Sequence, residues 1–223
     1  LGVVETRVQI PTVPPLEIEK GEERLTVIED IRARMIYNSG REKKIVEIDI
    51  YTNSSFGRAS VPFEGDISEI EEVVLPELVG LDAIEQKSLD ELLCEITPYN
   101  QIRFVLSLAS AKAASSFYSL PLFRYLGGIY EGQMPFLTIG EKIFDIDLNE
   151  LKEKHRPKKI DLDTISKIYV SSKEDNNCII SAVDEGICHL ALAFNLKYLD
   201  ITEENIPIIN ELIRIKEYLG EEI

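Results

Sequence analysis

The sequence has no tryptophan, only two histidines and three cysteines, and far fewer basic than acidic residues. Its 24 Lys and Arg residues against 40 Asp and Glu residues give a formal net charge of −16. A surface this acidic repels phosphate backbones and anionic lipid, so we expect no nucleic-acid binding. No apolar run reaches about 18 residues, so no membrane span is predicted, and no signal peptide is recognised. These features together favour a cytoplasmic protein.

The three cysteines, Cys94, Cys178 and Cys188, are widely spaced and odd in number. This usage is typical of reduced thiols and not of a disulfide framework. A metal site built from Cys178, Cys188 and His189 lacks any CxxC or HxxxH spacing. Buried structural thiols are the preferred interpretation.

Three predicted strands open the fold, at residues 27–37, 44–52 and 56–61. The second, KIVEIDIYT, alternates apolar and polar residues, as a half-buried strand does. Turn residues between the runs favour an antiparallel meander whose polar face is either covered or wet. Upstream, VVETRVQI at 3–10 alternates partly and can add an edge strand, and a proline cluster at 11–15 then favours an extended linker.

Helices are predicted to follow this meander. Ser68 is a candidate N-cap for a helix through Leu75, with Glu71 at the capping-box position. Further helices are predicted at 81–96 and 101–118, and the second carries small residues that let another backbone approach closely. Pro121 ends it, and Gly127 and Gly128 stop the short turn that follows.

The C-terminal part is predicted to hold two βα-like units. Lys167–Ser171 is interpreted as a strand, and Asn176 or Asn177 as the cap of a helix through about His189. Residues 190–199 fit either a buried strand or the continuation of that helix. Thr202 is an N-cap candidate for a last amphipathic helix. Two parallel strands leave open edges, to be covered by residues 137–164, by the amino-terminal domain or by another chain.

Four acids alternate with apolar residues within residues 137–164: Asp145, Asp147, Asp161 and Asp163. Carboxylates at i and i+2 can face one way on a strand, which raises a metal-site hypothesis. No glycine stands at the turn position of a calcium loop. Surface-strand or helix-cap carboxylates are therefore the preferred interpretation.

Four segments, taken in order, resemble the enolase family. They are IRARMIYNSGREKKIVEIDIYTNSSFGRASVP (31–62), LVGLDAIEQKSLDELLCEITPYN (78–100), the helix and stop ending in PLFRYLGG (121–128), and ELIRIKEYLG (211–220). The resemblance covers about 31–136 well and about 165–220 weakly. It implies an α+β fold: an enolase N-terminal-domain-like three-stranded antiparallel meander followed by helices, plus a truncated remnant of the enolase (β/α)8 barrel.

The resemblance also implies a domain division. Residues 1–25 form an amino-terminal extension, 26–136 an enolase N-terminal-like domain, 137–164 a divergent linker or insert, and 165–223 the barrel remnant with its C-terminal helix.

Catalytic residues of the family find no match in this sequence. No segment matches the three carboxylates that hold Mg²⁺ in enolases, and the mobile loop after Val61-Pro62 has lost most of its glycines and hydroxyls. The family's phosphate-binding Arg aligns with Ser171, so Ser171, Ser172 and Lys173 are the predicted vestigial phosphate-site region. The ammonium of Lys173 is a point charge and cannot bind a phosphate through two parallel hydrogen bonds as an Arg guanidinium does.

The sequence therefore predicts a non-catalytic relative, not an enzyme, that needs no cofactor and acts as an interaction or assembly subunit. A homo-oligomer or a subunit of a protein complex is expected, since enolases are usually dimers. The alternative is a Mg²⁺-dependent enolase-type lyase acting on 2-phosphoglycerate, with a rebuilt or partner-completed site.

Overall fold

The computed structural model describes residues 25–37, 44–128, 134–139, 142–144, 150–151, 157–174, 178–201 and 206–220. The edge strand predicted at 3–10 and the helix cap predicted at Thr202 lie outside these residues, as do Asp145 and Asp147.

The described part of the chain opens with the antiparallel meander that its alternation predicted. The strands are β1 (Ile28–Tyr37), β2 (Lys44–Thr52) and β3 (Phe56–Pro62), in the order β1-β2-β3. Val46, Ile48 and Ile50 of β2 have no exposed surface and form the inner row of the sheet. The intervening side chains lie on the other face because successive strand residues alternate.

A cluster of ion pairs neutralises the charged side chains on the outer face of this sheet. Asp49 has no exposed surface, and its carboxylate accepts hydrogen bonds from both Arg34 and Arg58. Burial alone raises the pKa of the Asp49 carboxyl, but Arg58 and Arg34 outweigh it and hold that pKa below its ordinary value. Glu47 also pairs with Arg34. The polar face is thus neutralised within the sheet.

The segment after β3 departs from the helix predicted at 68–75. It consists of α1 (Ile67–Glu69), a π-helical turn (Ile70–Val74) and a 3₁₀ turn (Leu75–Leu78). The cap is Asp66, whose Oδ1 accepts from the Ser68 N–H at 3.0 Å, and not Ser68. Pro76 has no N–H to donate and its ring conflicts with a preceding α-helical turn, so regular α-helix does not continue through it.

Three helices follow, of which α2 and α4 pack against α3: α2 (Gln86–Ile96), α3 (Asn100–Phe117) and α4 (Leu122–Gly127). Helix α2 begins later than predicted because Leu81 accepts the Ile28 N–H and Asp82 bridges Val27, which ties this turn to the start of β1. Helix α3 lies centrally and packs on β3 and β2. Gly128, at φ 68°, ends α4 as predicted.

A second, six-stranded sheet follows, in the order β6-β5-β4-β9-β8-β7. Strands β4, β9, β8 and β7 are mutually parallel, whereas β5 and β6 are antiparallel additions beside β4. The strands are β4 (Phe136–Ile139), β5 (Lys142–Phe144), β6 (Glu150–Leu151), β7 (Lys158–Ile160), β8 (Cys178–Ser181) and β9 (Tyr198–Asp200). Part of the 137–164 segment thus covers one edge of the parallel strands, as one of the three predicted alternatives has it.

The helices of this half correct several predictions. They are α5 (Ile165–Glu174), α6 (Gly186–Ala193) and α7 (Ile206–Leu219). The strand predicted at Lys167–Ser171 lies within α5, where Ile165, Ile168 and Ser172 form a buried helical stripe. The helix predicted from Asn176 or Asn177 to His189 is strand β8 followed by a turn and α6.

Residues 190–199 combine both predicted alternatives. Helix α6 ends at Ala193, Asn195 adopts a left-handed φ of 53°, and β9 follows. The described residues therefore hold three strand-helix units and four parallel strands, where two of each were expected. The fold class stands as predicted: an antiparallel three-stranded sheet with helices, then a parallel sheet with helices.

Within the described ranges, every helix is too short or too polar to cross a lipid bilayer. The predicted domain boundaries at residues 25, 136 and 164 stay predictions.

Candidate functional site

The candidate site lies at the carboxyl ends of the parallel strands, the edge where βα folds bind ligands. Strand β8 ends at Ser181 and β9 at Asp200, and these two residues are register partners. The Ser181 hydroxyl donates to Asp200 Oδ2 at 3.2 Å, and the Ala182 N–H donates to the Asp200 carbonyl at 2.8 Å. A hydroxyl and a carboxylate are thereby fixed at one edge.

Asp184, three residues beyond β8, connects this edge to the amino-terminal sheet. Its Oδ2 accepts from the N–H of Ser60 on β3 at 2.9 Å and from the Ser60 hydroxyl at 3.3 Å. Its Oδ1 accepts from the ammonium of Lys112 on α3 at 2.5 Å and from the Gly186 N–H at 2.7 Å. The Asp184 side chain is 8 % exposed, so these contacts are largely shielded from water.

The Asp184 contacts orient three elements at once. The Gly186 N–H belongs to the first turn of α6, which carries partial positive charge that a carboxylate stabilises. Ser60 is near the end of β3, and Lys112 projects from the central helix. We therefore expect Asp184 to act by positioning the end of β3 against the carboxyl edge.

Asp163 follows β7 at the same edge, but its carboxylate is already paired with basic side chains. It pairs with Arg103 at 3.4 Å and with Lys167 at 2.9 Å, and its Oδ1 accepts from the Thr164 N–H at 2.8 Å just before α5. This supports the helix-cap interpretation of that carboxylate. Asp161 is exposed.

The predicted phosphate-site residues lie elsewhere. Ser171, Ser172 and Lys173 occupy the last turns of α5. The Ser172 hydroxyl donates to the Tyr169 carbonyl at 2.7 Å, and the Lys173 ammonium lies 5.3 Å from the Tyr169 ring centroid. Because α5 connects the end of β7 to the start of the parallel β8, these turns lie toward the opposite edge from Asp184. The structure does not bring the three residues together with the carboxyl edge.

The residues of the cysteine-histidine hypothesis lie in packed surroundings. Cys178 and Cys188 have no exposed surface, and burial raises the pKa of the Cys188 thiol, whose Sγ lies 3.5 Å from the Ile208 carbonyl. His189 stacks on Phe123 and its Nε2 lies 3.1 Å from Glu211 Oε1. Across the described ranges, His, Cys, Asp and Glu side chains form no group of three arranged to hold a metal ion.

Glu211 of α7 gives a testable pH dependence. Its hydrogen bond with His189, followed by that from Arg214, lowers the pKa of the carboxyl from its usual 4.5 to about 2. A depressed carboxyl pKa adds stability that is fully present above pH 4.5 and is lost as the pH falls toward 2. Since the group is partly solvated, we expect Glu211→Gln to cost about 1–2 kcal/mol at pH 7.

Urea unfolding at several pH values measures this effect. The gap between the wild-type chain and Glu211→Gln should close as the pH falls from 4.5 toward 2. Glu217→Gln, at an exposed position on the same helix, is the control and should show no such gap. A gap that is constant with pH would contradict the pairing.

Comparison with known proteins finds relatives over about half of the chain. No family model matches the chain. The enolase of Methanothermobacter thermautotrophicus is 33 % identical over 135 residues, which cover 50 % of this chain and 32 % of that protein. The enolase of Methanothrix thermoacetophila is 36 % identical over 140 residues, covering 48 % and 33 % respectively. The chain thus spans about a third of the length of these curated relatives.

Solved structures give a weaker likeness. Muconate cycloisomerase from Pseudomonas fluorescens matches with a TM-score of 0.45 and 13 % identity, over 88 % of this chain and 57 % of that one. The muconate lactonizing enzyme from Pseudomonas putida matches with a TM-score of 0.44 and 17 % identity, over 87 % and 64 %.

The prediction that the chain is not an enzyme is wrong on these comparisons. Relatives at 33–36 % identity carry the name Enolase, which points to membership of an enzyme family. The missing motif residues do not exclude an enzyme, because their absence depends on one alignment of the weakly similar half. The resemblance itself is confirmed: the chain is an enolase-like protein, related to enolases in sequence over about half of its length.

Proposed function

We propose that this chain is the amino-terminal-domain component of a Mg²⁺-dependent enolase-type lyase acting on 2-phosphoglycerate, with a catalytic centre completed by a second polypeptide. The observation that carries the proposal is the 33–36 % identity to proteins named Enolase over about half of the chain. The proposal combines an assembly role with the chemistry of those relatives.

The fit of magnesium supports a completed site. Mg²⁺ requires near-octahedral oxygen ligands, commonly carboxylates. The described residues supply no group of three such ligands, and Asp163 is already occupied by Arg103 and Lys167. These residues do not fit the ion on their own, and the proposal therefore assigns its ligands to the second polypeptide.

The carboxyl edge supports the role of this chain in such an assembly. Ser181 and Asp200 present a hydroxyl and a carboxylate at the strand ends, and Asp184 holds β3 beside them through Ser60. The chain's own contribution is to position that edge and the segment that follows β3. Asp184 is therefore a positioning residue.

The test is turnover by the native assembly. A tagged chain is expressed in its native organism and purified together with the proteins that remain bound to it. The preparation is then given 2-phosphoglycerate with Mg²⁺, and the absorbance of phosphoenolpyruvate is followed. We expect turnover that a chelator abolishes, and none from the chain purified alone. Turnover by the chain alone would contradict completion by a partner, and an inactive assembly would overturn the lyase.

A matched pair of variants links the turnover to this chain and not to a co-purified enzyme. Asp184→Asn weakens the ion pair with Lys112 and should lower turnover at least tenfold while the partner is retained. Glu185→Gln, at the exposed neighbouring position, should leave turnover unchanged. Equal activity of both variants would show that the turnover does not depend on this edge.

A further inference from the structure

The edge of β1 that faces away from β2 borders an open groove. Among the residues that the structure describes, β2 is the only strand that pairs with β1. The groove has a volume of about 770 Å³ and lies between residues 30–34 of β1 and a wall formed by Glu71, Leu75, Pro76 and Val79. An unpaired strand edge is a template for one more strand, and extended partner segments bind in this way.

A turn that follows the wall closes one end of the groove. The Ile28 N–H donates to the Leu81 carbonyl at 2.8 Å, and the Gly80 N–H donates to the Ile28 carbonyl at 2.9 Å. The edge is thus already paired as far as Ile28, and an added segment can pair with β1 only from Asp30 onward. The five residues of β1 that line the groove are enough for a short strand.

The groove is apolar on the inner side of the sheet. Ile31 and Ala33 belong to the row of β1 that packs against the core, yet both are only partly buried. Across the groove, Val79 is 48 % exposed. Small apolar side chains on one face of an added segment would remove these surfaces from water.

The outer rim of the groove carries two opposite charges in a fixed order. Asp30 lies at the closed end and Arg32 two residues farther along, and their side chains are 50 % and 65 % exposed. They pair with each other at 2.8 Å, which leaves both open to a second partner. Arg34, in contrast, is held by Glu47 and Asp49 of β2. A complementary segment therefore carries a basic residue opposite Asp30 and an acidic residue opposite Arg32.

A second copy of β1 meets the charge requirement only in a position that is blocked. Two antiparallel copies pair about a two-fold axis, and an axis at Ile31 places Asp30 of each copy opposite Arg32 of the other. The same axis places Arg34 of the second copy opposite Ile28. The turn that closes the groove already lies there.

Other positions of the two-fold axis fail on charge or on coverage. An axis at any of residues 32–34 sets one arginine against another, which is destabilising. An axis farther along β1 leaves residues 30–32 of the groove empty. The charges and the closed end together favour a segment of a different protein.

We propose that this groove binds an extended segment of a partner protein as a fourth strand, antiparallel to β1. Antiparallel pairing is the more stable arrangement of two strands. In the amino-to-carboxyl direction, the segment carries an acidic residue opposite Arg32, a small apolar residue opposite Ile31 and a basic residue opposite Asp30. The interaction is independent of the proposed lyase function.

Two capped peptides test the groove in the full chain. Acetyl-TVEVK-amide has the proposed order of charges, whereas acetyl-TVKVE-amide exchanges them. Binding is followed by the NMR amide shifts of the isotope-labelled chain. We expect acetyl-TVEVK-amide to shift the amides of β1 and of residues 71–79, and to bind about tenfold more tightly than acetyl-TVKVE-amide.

A charge exchange in the protein shows whether the rim sets this preference. Asp30→Arg with Arg32→Asp keeps the net charge and the pair within β1, and should reverse the order of the two peptides. Lys87→Glu with Glu91→Lys, an exposed pair on α2, is the matched control and should leave the order unchanged. An order that stays the same in the β1 double variant would overturn the role of the rim.

The remaining outcomes concern the occupant. Tighter binding of the reversed peptide acetyl-KVEVT-amide would overturn the antiparallel direction. Binding of none of the peptides would overturn the proposal. Protection of the β1 amides from hydrogen exchange would then show that the chain itself, or a second copy of it, already fills the groove.

Discussion

Replacing Asp90 with alanine is expected to lower the free energy of unfolding by about 4 kcal/mol, because several buried donors lose their acceptor together. Asp90 is 2 % exposed on α2. Its Oδ1 accepts from the Ser107 hydroxyl at 2.6 Å and from Gln86 Nε2 at 2.8 Å. Its Oδ2 accepts from the Ser166 N–H at 2.9 Å and from the Ser166 hydroxyl at 2.6 Å.

These contacts make Asp90 the cap of a helix that is distant in sequence. Ser166 lies in the first turn of α5, and the Ile165 N–H donates to the Ser107 hydroxyl at 2.9 Å. The first N–H groups of a helix have no partner within it, and the carboxylate satisfies one from outside. Asp90 thereby connects the amino-terminal sheet and its helices to the parallel-sheet half.

Urea denaturation of Asp90→Ala against the wild type measures the loss. Glu91→Ala is the control, since Glu91 is the exposed neighbour on the same helix and should change stability by less than about 0.5 kcal/mol. A loss below about 1 kcal/mol in Asp90→Ala would show that water or a shift of α5 satisfies the donors.

The pH dependence separates the charge of Asp90 from its hydrogen bonds. Burial raises the pKa of this carboxyl above its ordinary 3.8, despite hydrogen bonds from Ser107 and Ser166 that lower it. A raised carboxyl pKa means that the charged form costs stability, so its stability contribution falls as the pH rises above 3.8. Asp90→Asn lacks this component, and its deficit relative to the wild type should shrink as the pH rises from 3.8.

The amino-terminal half was predictable because its patterns are long. Nine residues of β2 alternate without interruption, and the 18 residues of α3 carry small side chains where a strand packs. In the second half the parallel strands have three or four residues each and are covered by helices. Short runs of this kind show no periodicity, so CIIS at β8 was assigned to a helix.

The candidate site was harder to predict for a different reason. Asp184 is bound by Lys112, 72 residues away, and by Ser60, 124 residues away, so no local spacing reveals it. The only signal was an apolar run, residues 178–180, followed by an acidic turn, a pattern that fits a strand end. The prediction at Ser171 to Lys173 depends on aligning a weakly similar segment, and the structure places these residues on α5.

Gly57→Ala is the second substitution with a large expected effect, about 3 kcal/mol. A Cβ on Gly57 of β3 would lie 2.0 Å from the Ala109 carbonyl oxygen and 2.4 Å from the Ala113 nitrogen. Both atoms belong to the backbone of α3, so no side-chain rotation relieves the clash. The small residues of α3 therefore serve the close approach that their pattern predicted.

Thermal and urea unfolding measure the loss, which should appear as a fall in Tm of about 10 °C for a chain of this size. Gly220→Ala is the control: nothing lies within 4 Å of its Cβ, and its φ of 76° predicts a cost of about 1 kcal/mol from backbone strain alone. Equal losses in the two variants would show that β3 moves away from α3 without difficulty.

Gly57 is expected to be energetically coupled to Asp184, because Gly57 and Ser60 lie on the same strand. Gly57 and Ser60 lie three residues apart on β3, and Ser60 is held by Asp184. A Cβ at position 57 pushes β3 off α3, which carries Lys112, so the contacts that converge on Asp184 must stretch. In Gly57→Ala, the further change Asp184→Asn should therefore cost less than in the wild type, by at least about 0.5 kcal/mol. Strict additivity would mean that Asp184 follows β3 freely, and the positioning role assigned to it would fail.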